Sequence, residues 1–434
     1  MDIFQQIRNK VFWAKDFFYN NEIRNNIQDI KNILEDYHSE HSKSRREQLL
    51  ADILRHATHH TPYYQQFKGS TRLSDFPVIN KGTISRDHTN FLSFDFREQD
   101  CYKILTSGST GTPFKAFQDR DKKIRNTADT IYFAQKANFK IGQKLIYMRR
   151  WSTDVRRSRL RAVMQNLSMV NVTELNEAYF EKWLRELRAD RSEKCLMGYV
   201  SGFTQLCKYL DKIKSPPVDC GLTSIIAVAE SLSDYCRISM EKYFGVPVIS
   251  RYSNMENGIL AQEFPGERHF NINWASYVIE ILHQEKDDPV EYGKEGRIVI
   301  TDLFNHIMPM IRYDTGDLGI MALNDQGIPV LKNVLGRSMD MIYNTRGVMI
   351  NPAVVRELKY YHEIKQFQMI QQDRCSYTIR LTVDGPFNRH EELIRKYKGH
   401  FGEDAQISIE ETDEIPVLAS GKRKLVVNNY SKMN

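Results

Sequence analysis

Residues 223–253 read TSIIAVAESLSDYCRISMEKYFGVPVISRYS, and their pattern decides the architecture. TSIIAVAE is an apolar strand. Ser233 is placed to cap a helix over SDYCRISMEKYF, and VPVISRYS is the next strand. Strand, helix and strand in this order make a βαβ unit. That unit puts Glu230 and Tyr252 just beyond the carboxyl ends of neighbouring strands, where open α/β sheets hold ligands.

The same alternation extends outward from this unit. From about residue 100 strands and helices alternate, as in α/β folds. CYKILT and GRIVITDLF read as strands, and MIRYDTGDLG leads from the second into a turn. After GRSMDMI the pattern restarts as a smaller C-terminal unit with strands YTIRLTV and AQISIEE. Residues 1–60 are helix-rich. In IFQQIRNKVFWAKDFF, Phe4, Ile7, Val11, Ala14 and Phe18 recur at helical spacing. The expectation is an amphipathic helix packed on the body of the protein. The further aromatics Phe12, Trp13 and Phe17, with Arg8, Lys10 and Lys15, support a second reading as a peripheral membrane or protein contact.

Bulk properties narrow the classes. A chain of 434 residues with 41% hydrophobic and 11% aromatic content has room for two or three domains with real cores. Its 61 basic and 55 acidic residues give a net charge of +6. The charges are mixed along the chain, and no basic stripe is interleaved with aromatics, which argues against a nucleic-acid binder. No apolar run approaches the roughly 18 residues of a membrane span, and MDIFQQIRNK lacks the charged-then-apolar pattern expected of a signal peptide. The six cysteines are scattered without a CxxC pair. That suits reduced thiols in the cytoplasm and supplies no zinc ligand set.

TSGSTGTPFK, residues 106–115, interleaves Ser107, Ser109 and Thr110 with Gly108 and Gly111. Glycines let backbone N–H groups approach an anion, and hydroxyls add donors. The loop lacks the lysine of a GxxxxGK[ST] phosphate loop, and by itself it reads as an ordinary turn-rich segment. It has company in fixed order: AES (229–231), YSNMEN (252–257), RYDTGD (312–317), GRSMD (336–340) and ASGK (419–422).

The set resembles the signature series of the adenylate-forming superfamily, which includes acyl-CoA synthetases, luciferases and peptide-synthetase adenylation domains. LRHATHHTPYYQQF, LSDFPVINKGTISRD and MPMIRYDTGD are similar to the phenylacetate-CoA ligase branch and its relatives associated with capsule biosynthesis. The resemblance covers roughly residues 50 to 425 and implies an α/β fold of two parts. Residues 1–338 would form the adenylation domain that binds ATP, Mg2+ and a carboxylic acid. Residues 341–434 would form a mobile α+β lid, with a hinge near Met339 and Asp340.

By the same resemblance, Thr106, Ser107, Gly108, Ser109, Thr110 and Gly111 would embrace the β- and γ-phosphates of ATP. Ala229, Glu230 and Ser231 would line adenine and ribose, and Tyr252 would stack on adenine. Glu256 would hold Mg2+. Asp317 and Arg337 would grip the ribose hydroxyls. Lys422 would be the catalytic lysine that the lid delivers to the carboxylate and α-phosphate, and so the positive charge the opening loop lacks. The acid would lie among Gly198, Tyr199, Phe203 and Met255.

Three features depart from the family pattern. Met255 replaces the usual threonine, so Ser253 or Asn254 must donate to the α-phosphate. Met339 replaces the first acid of the hinge. His269 remains where some relatives carry a cysteine-rich zinc site, but the thiolates do not, so no zinc is expected. The implied reaction is acyl-adenylate formation with pyrophosphate release, then acyl transfer to coenzyme A. The alternatives are a sugar or amine acceptor in polysaccharide biosynthesis, AMP transfer to a hydroxyl, and a catalytically silent nucleotide-binding scaffold.

Overall fold

In a computed structural model, the chain is described at residues 2–106, 114–151, 157–337, 342–350, 354–355, 357–358, 361–415 and 425–430. It divides into two compact units. One comprises Met1–Ile104 and Ala116–Gly336, the other Leu105–Lys115 and Arg337–Asn434.

The first unit opens with helices α1 (Ile3–Phe18), α2 (Glu22–Leu34) and α3 (Glu40–His60). Ile27, Ile30 and Ile33 line one face of α2 and are buried against the helix α5 described below. Helix α1 packs on the body, though not by its apolar side. Its apolar stripe faces solvent, with Phe4, Ile7, Val11 and Phe18 between 50% and 81% exposed. The polar face docks instead: the Gln5 amide donates to the Glu193 carbonyl at 2.8 Å, and the Asn9 amide to the Ile141 carbonyl at 2.9 Å. Asp16, buried, accepts from the backbone N–H groups of Ile23 and Arg24 at the start of α2. A close approach fixes this choice. Gly142, at φ +97°, leaves room that a Cβ would take within 2.2 Å of the Gln5 carbonyl oxygen.

A short helix α4 (Lys81–Arg86) precedes strands β1 (Tyr102–Thr106) and β2 (Phe114–Gln118), which pair as a two-stranded sheet. Next come α5 (Arg120–Lys136), β3 (Lys144–Arg149), α6 (Arg159–Met164), β4 (Leu167–Asn171), α7 (Glu177–Ala189) and β5 (Lys194–Tyr199). Helix α8 (Val200–Lys212) leads to the predicted unit, β6 (Leu222–Val228), α9 (Asp234–Phe244) and β7 (Val248–Asn254). Ser233 caps α9 as expected, its hydroxyl accepting from the Cys236 N–H. Strands β6 and β7 pair in parallel, Ile225 with Val248 and Ala227 with Ser250.

Six further strands complete the sheet: β8 (Gly258–Glu263), β9 (Phe270–Ile272), β10 (Tyr277–Leu282), β11 (Glu295–Asp302), β12 (Tyr313–Leu323) and β13 (Pro329–Arg337). The eleven strands run in the order β10-β11-β12-β13-β9-β8-β7-β6-β5-β3-β4. From β4 to β7 neighbouring strands pair in parallel, while β7 with β8 and β8 with β9 are antiparallel. Strand β7 is therefore the seam between two kinds of sheet. Alternate side chains of the parallel half enter different cores. Leu196, Ile225 and Ala227 pack with α7, α8 and α9, while Cys195, Ile226 and Val228 pack on the other side.

The stretch MIRYDTGDLG, expected to enter a turn, instead enters β12. The turn signal survives as a bulge: Asp314 opposes Val299 and Leu318 opposes Arg297, so β12 carries the surplus residues. Gly316, at φ +75°, makes the bend, and its N–H donates to the Asp314 carboxylate at 2.8 Å.

In the second unit a small hairpin, β14 (Ile342–Tyr343) and β15 (Met349–Ile350), precedes β16 (Ile364–Gln371), β17 (Ser376–Val383), α10 (His390–Phe401), β18 (Gln406–Glu411) and β19 (Val426–Asn428). The last four strands form one sheet in the order β18-β17-β16-β19. Its core joins Met369, Ile379 and Leu381 to Leu393, Tyr397 and Phe401 of α10. The Tyr377 and Phe401 rings stack at 4.3 Å.

Candidate active site

The seam strand ends in a tight connection that sorts side chains by direction. The Asn254 side-chain oxygen accepts from the Asn257 N–H at 2.8 Å, closing the turn between β7 and β8. Within it Met255 projects outward and is 56% exposed, while Glu256 turns inward and is 2% exposed. Ser253 is exposed beside a register shift between Tyr252 and itself. Gly258 sits at φ +119°, and a Cβ there would lie 2.7 Å from the Asn126 side-chain oxygen of α5. Only a bare Cα lets the connection pass so close to the helix.

Tyr252 of β7 and Asp317 of β12, 65 positions apart, meet side chain to side chain. The buried Tyr252 hydroxyl donates to Asp317 Oδ2 at 2.9 Å and lies 3.1 Å from Thr315 Oγ1. Burial, and then the Asp317 charge, push the Tyr252 phenol well above its ordinary range, so it stays a neutral donor.

Glu256 is held on three sides. Its carboxylate lies 2.8 Å from Lys81 Nζ and accepts from the Tyr313 hydroxyl at 2.8 Å. Its carbonyl accepts from the Gln118 amide at 2.8 Å. Burial and the neighbouring Glu256 also hold the Tyr313 phenol well above its ordinary range. Lys81 opens α4, which Asn80 caps by accepting from the Thr83 N–H. Its approach is set by Ile79, which donates to the Arg312 carbonyl and accepts from the Asp314 N–H, joining this segment to the start of β12. Lys81, Gln118 and Tyr313 went unnoticed in the sequence. The signal available was NKGT, an Asn N-cap followed at once by a lysine.

Ala229 follows β6 at φ +70°, a left-handed conformation unusual for a residue with a Cβ, and Ala229, Glu230 and Ser231 are all exposed. The Glu230 carboxylate accepts from the Ser201 N–H at 2.6 Å, in the first turn of α8. Gly198 is required by packing, since a Cβ would fall 2.7 Å from the Phe203 ring and 2.9 Å from Met148. Phe203 is fully buried among the residues between the sheet and its helices, and Tyr199 is half-buried. A second grouping escaped the sequence reading. At the end of β3 the Arg149 guanidinium stands 5.4 Å from the centres of both the Tyr147 and Trp151 rings. The phenol of Tyr199 on β5 interacts with Arg149, and burial raises it. The alternation of Tyr147, Arg149 and Trp151 placed them on one side of a strand end.

Thr106 closes β1 and Arg337 closes β13, but their side chains lie outside the described residues. So do Ser107, Gly108, Ser109, Thr110, Gly111, Met339, Asp340 and Lys422. Among the described residues no group of three His, Cys, Asp or Glu side chains is placed to hold a metal. His269 stands 3.4 Å from Glu267. The one acid expected to meet Mg2+, Glu256, is paired with a cation. A single carboxylate suits Mg2+ carried mainly by nucleotide phosphates, provided that Lys81 moves away.

Residues 341–429 match the family model of the CapK C-terminal domain. Protein CapK of Staphylococcus aureus is 20% identical over 375 residues, covering 82% of this chain and 80% of that protein. A phenylacetate-coenzyme A ligase of Thermus thermophilus is 22% identical over 442 residues, covering 91% and 98%. Among solved structures, 2-hydroxyisobutyryl-CoA ligase in the postadenylation state with R3-HIB-AMP superposes with a TM-score of 0.66. Its identity is 14%, over 91% of either chain, and so the likeness is one of fold. The chain is a homologue of CapK and of the phenylacetate-coenzyme A ligases, built on the fold of the adenylate-forming superfamily.

Proposed function

We propose that the protein is an ATP-dependent ligase that converts a carboxylic acid into its acyl adenylate and then passes the acyl group to coenzyme A. The observation that carries this reading is the hydrogen bond between Tyr252 and Asp317, with Glu256 in the turn that follows Tyr252. These are the aromatic, the ribose-binding acid and the metal-binding acid of the resemblance, carried by β7, by β12 and by the turn after β7. ATP, Mg2+ and coenzyme A are the small molecules implied.

In the first step an oxygen of the acid attacks the α-phosphorus, and the bond to the bridging oxygen of pyrophosphate breaks. No protein nucleophile is needed, so the chain contributes position and charge. Tyr252 offers a neutral ring whose hydroxyl is anchored by Asp317, which fixes the plane on which adenine would stack. The second carboxylate oxygen of Asp317 would meet the ribose. Mg2+, when bound, neutralises phosphate charge and stabilises pyrophosphate as it leaves. Lys81 neutralises the buried Glu256 carboxylate. Lys81 would pair with phosphate oxygens where Glu256 holds Mg2+. Lys422 would add charge to the transition state, and Arg337 would join Asp317 at the ribose. The exposed Met255 and the Tyr147–Arg149–Trp151–Tyr199 grouping would border the acid.

Carboxylate-dependent exchange of labelled pyrophosphate into ATP, scored over a panel of acids, tests the first step. Release of AMP with and without coenzyme A tests the second. Exchange that coenzyme A leaves unchanged would favour a sugar or amine acceptor, a reading supported by the CapK likeness over 341–429. Exchange independent of any carboxylate would favour AMP transfer to a hydroxyl. ATP binding without exchange would leave the silent scaffold.

A further inference from the structure

Helix α1 is amphipathic the wrong way round for a helix that serves only the interior. At about 100° per residue, Ile3, Phe4, Ile7, Val11, Ala14 and Phe18 fall on one side of the cylinder. All six are exposed, Phe18 to 81%. Gln5, Asn9 and Asp16 fall on the opposite side and are spent on the body, through the Glu193 and Ile141 carbonyls and the first turn of α2. Phe12 and Trp13, edge to face at 5.1 Å, add the apolar contact that holds the helix down. Because Gly142 receives the Gln5 carbonyl in a space no side chain could share, the orientation is fixed by close packing. The outward stripe is therefore a built surface, about 24 Å long for 16 residues.

Charge decides what covers it. Arg8 and Lys15 flank the stripe on one side and Lys10 on the other, while Arg24 lies over the Trp13 ring near the helix end. The acids of the same segment are engaged elsewhere, Asp2 as the N-cap of α1 and Asp16 as the buried cap of α2. An apolar strip edged by long cationic side chains, with the aromatics Phe4, Phe17 and Phe18, matches the boundary between acyl chains and anionic headgroups. There the rings enter the boundary, and lysine and arginine reach back to phosphate. A partner helix would present mixed charges at the rim and would not call for cations on both sides. We propose that α1 docks the protein in the plane of an anionic lipid surface, with the apolar stripe inserted and Arg8, Lys10 and Lys15 on the headgroups. No helix among the described residues is long and apolar enough to cross a membrane, so the attachment is lateral.

Flotation of the full chain with vesicles tests this directly. Wild type should float with equimolar phosphatidylglycerol and phosphatidylcholine, and should be released from them by high salt. It should stay at the bottom with phosphatidylcholine alone. Val11→Glu/Phe18→Glu should abolish flotation while keeping the wild-type circular dichroism and thermal midpoint, because both side chains already face water. Lys10→Gln should weaken binding about five-fold, the contribution of one surface cation. The proposal is overturned if wild type does not float with anionic vesicles, or if the double variant floats as well as wild type. It is equally overturned if sedimentation shows a dimer that the double variant loses, which would make a second copy the occupant.

Discussion

Replacing Lys81 with methionine isolates the charge balance at Glu256. The stem of the side chain is kept and the ammonium is lost, leaving a carboxylate whose side chain is 3% exposed with the Tyr313 hydroxyl. Breaking a fully buried ion pair from one side costs about 3–5 kcal/mol. Lys81 is 32% exposed, so water screens part of the loss, and about 1–3 kcal/mol is the expected destabilisation. Glu256→Gln removes the charge that needs a partner. The double variant should therefore recover part of the loss, with a coupling energy of about 0.5–3 kcal/mol. Urea denaturation of the four proteins of the cycle, followed by far-ultraviolet circular dichroism, measures it. A Lys81→Met protein as stable as wild type, or strictly additive single effects, would refute the pairing as a source of stability.

Three further outcomes follow from the proposed chemistry. Glu256→Gln should raise the Mg2+ concentration needed for half-maximal pyrophosphate exchange, since an amide is a poorer ligand for a hard cation, and a magnesium titration that overlays wild type would place the metal elsewhere. Lys422→Ala should slow single-turnover adenylation about 10²–10³-fold with ATP binding nearly intact, and near-normal adenylation would remove the lysine from its role. Tyr252→Phe keeps the ring and loses the bond to Asp317, so stability should fall by about 0.5–1.5 kcal/mol and ATP should still bind. Calorimetric titration and urea melts check both, and a complete loss of ATP binding would mean the hydroxyl matters more than the ring.

The β6–α9–β7 unit was legible because every signal for it is local: an apolar run, a serine cap and a second apolar run. The strand ends bearing Glu230 and Tyr252 came with it. What escaped depends on partners far along the chain. Periodicity reveals that α1 has an apolar stripe, but not which side meets the body. That choice rests on Gly142, Glu193 and Ile141, more than a hundred positions away. Lys81 is invisible as a partner of Glu256 until Ile79 pairs at the start of β12. Phe203, expected beside the acid, is fully buried, and its ring packs into the space that Gly198 leaves. The bulge in β12 shows the reverse case, in which turn chemistry in RYDTGD was real but was spent inside a strand.

The turn after β7 has a consequence for how such a protein can be diversified. Position 255 points to solvent, whereas 256 is buried beneath Lys81 and Tyr313, and the Asn257 side chain is fully buried. Saturation libraries across 254–257 should therefore return a comb: wide acceptance at 255 beside near-intolerance at 256 and 257. Lineages and engineers alike could then vary one codon while its neighbours stay frozen.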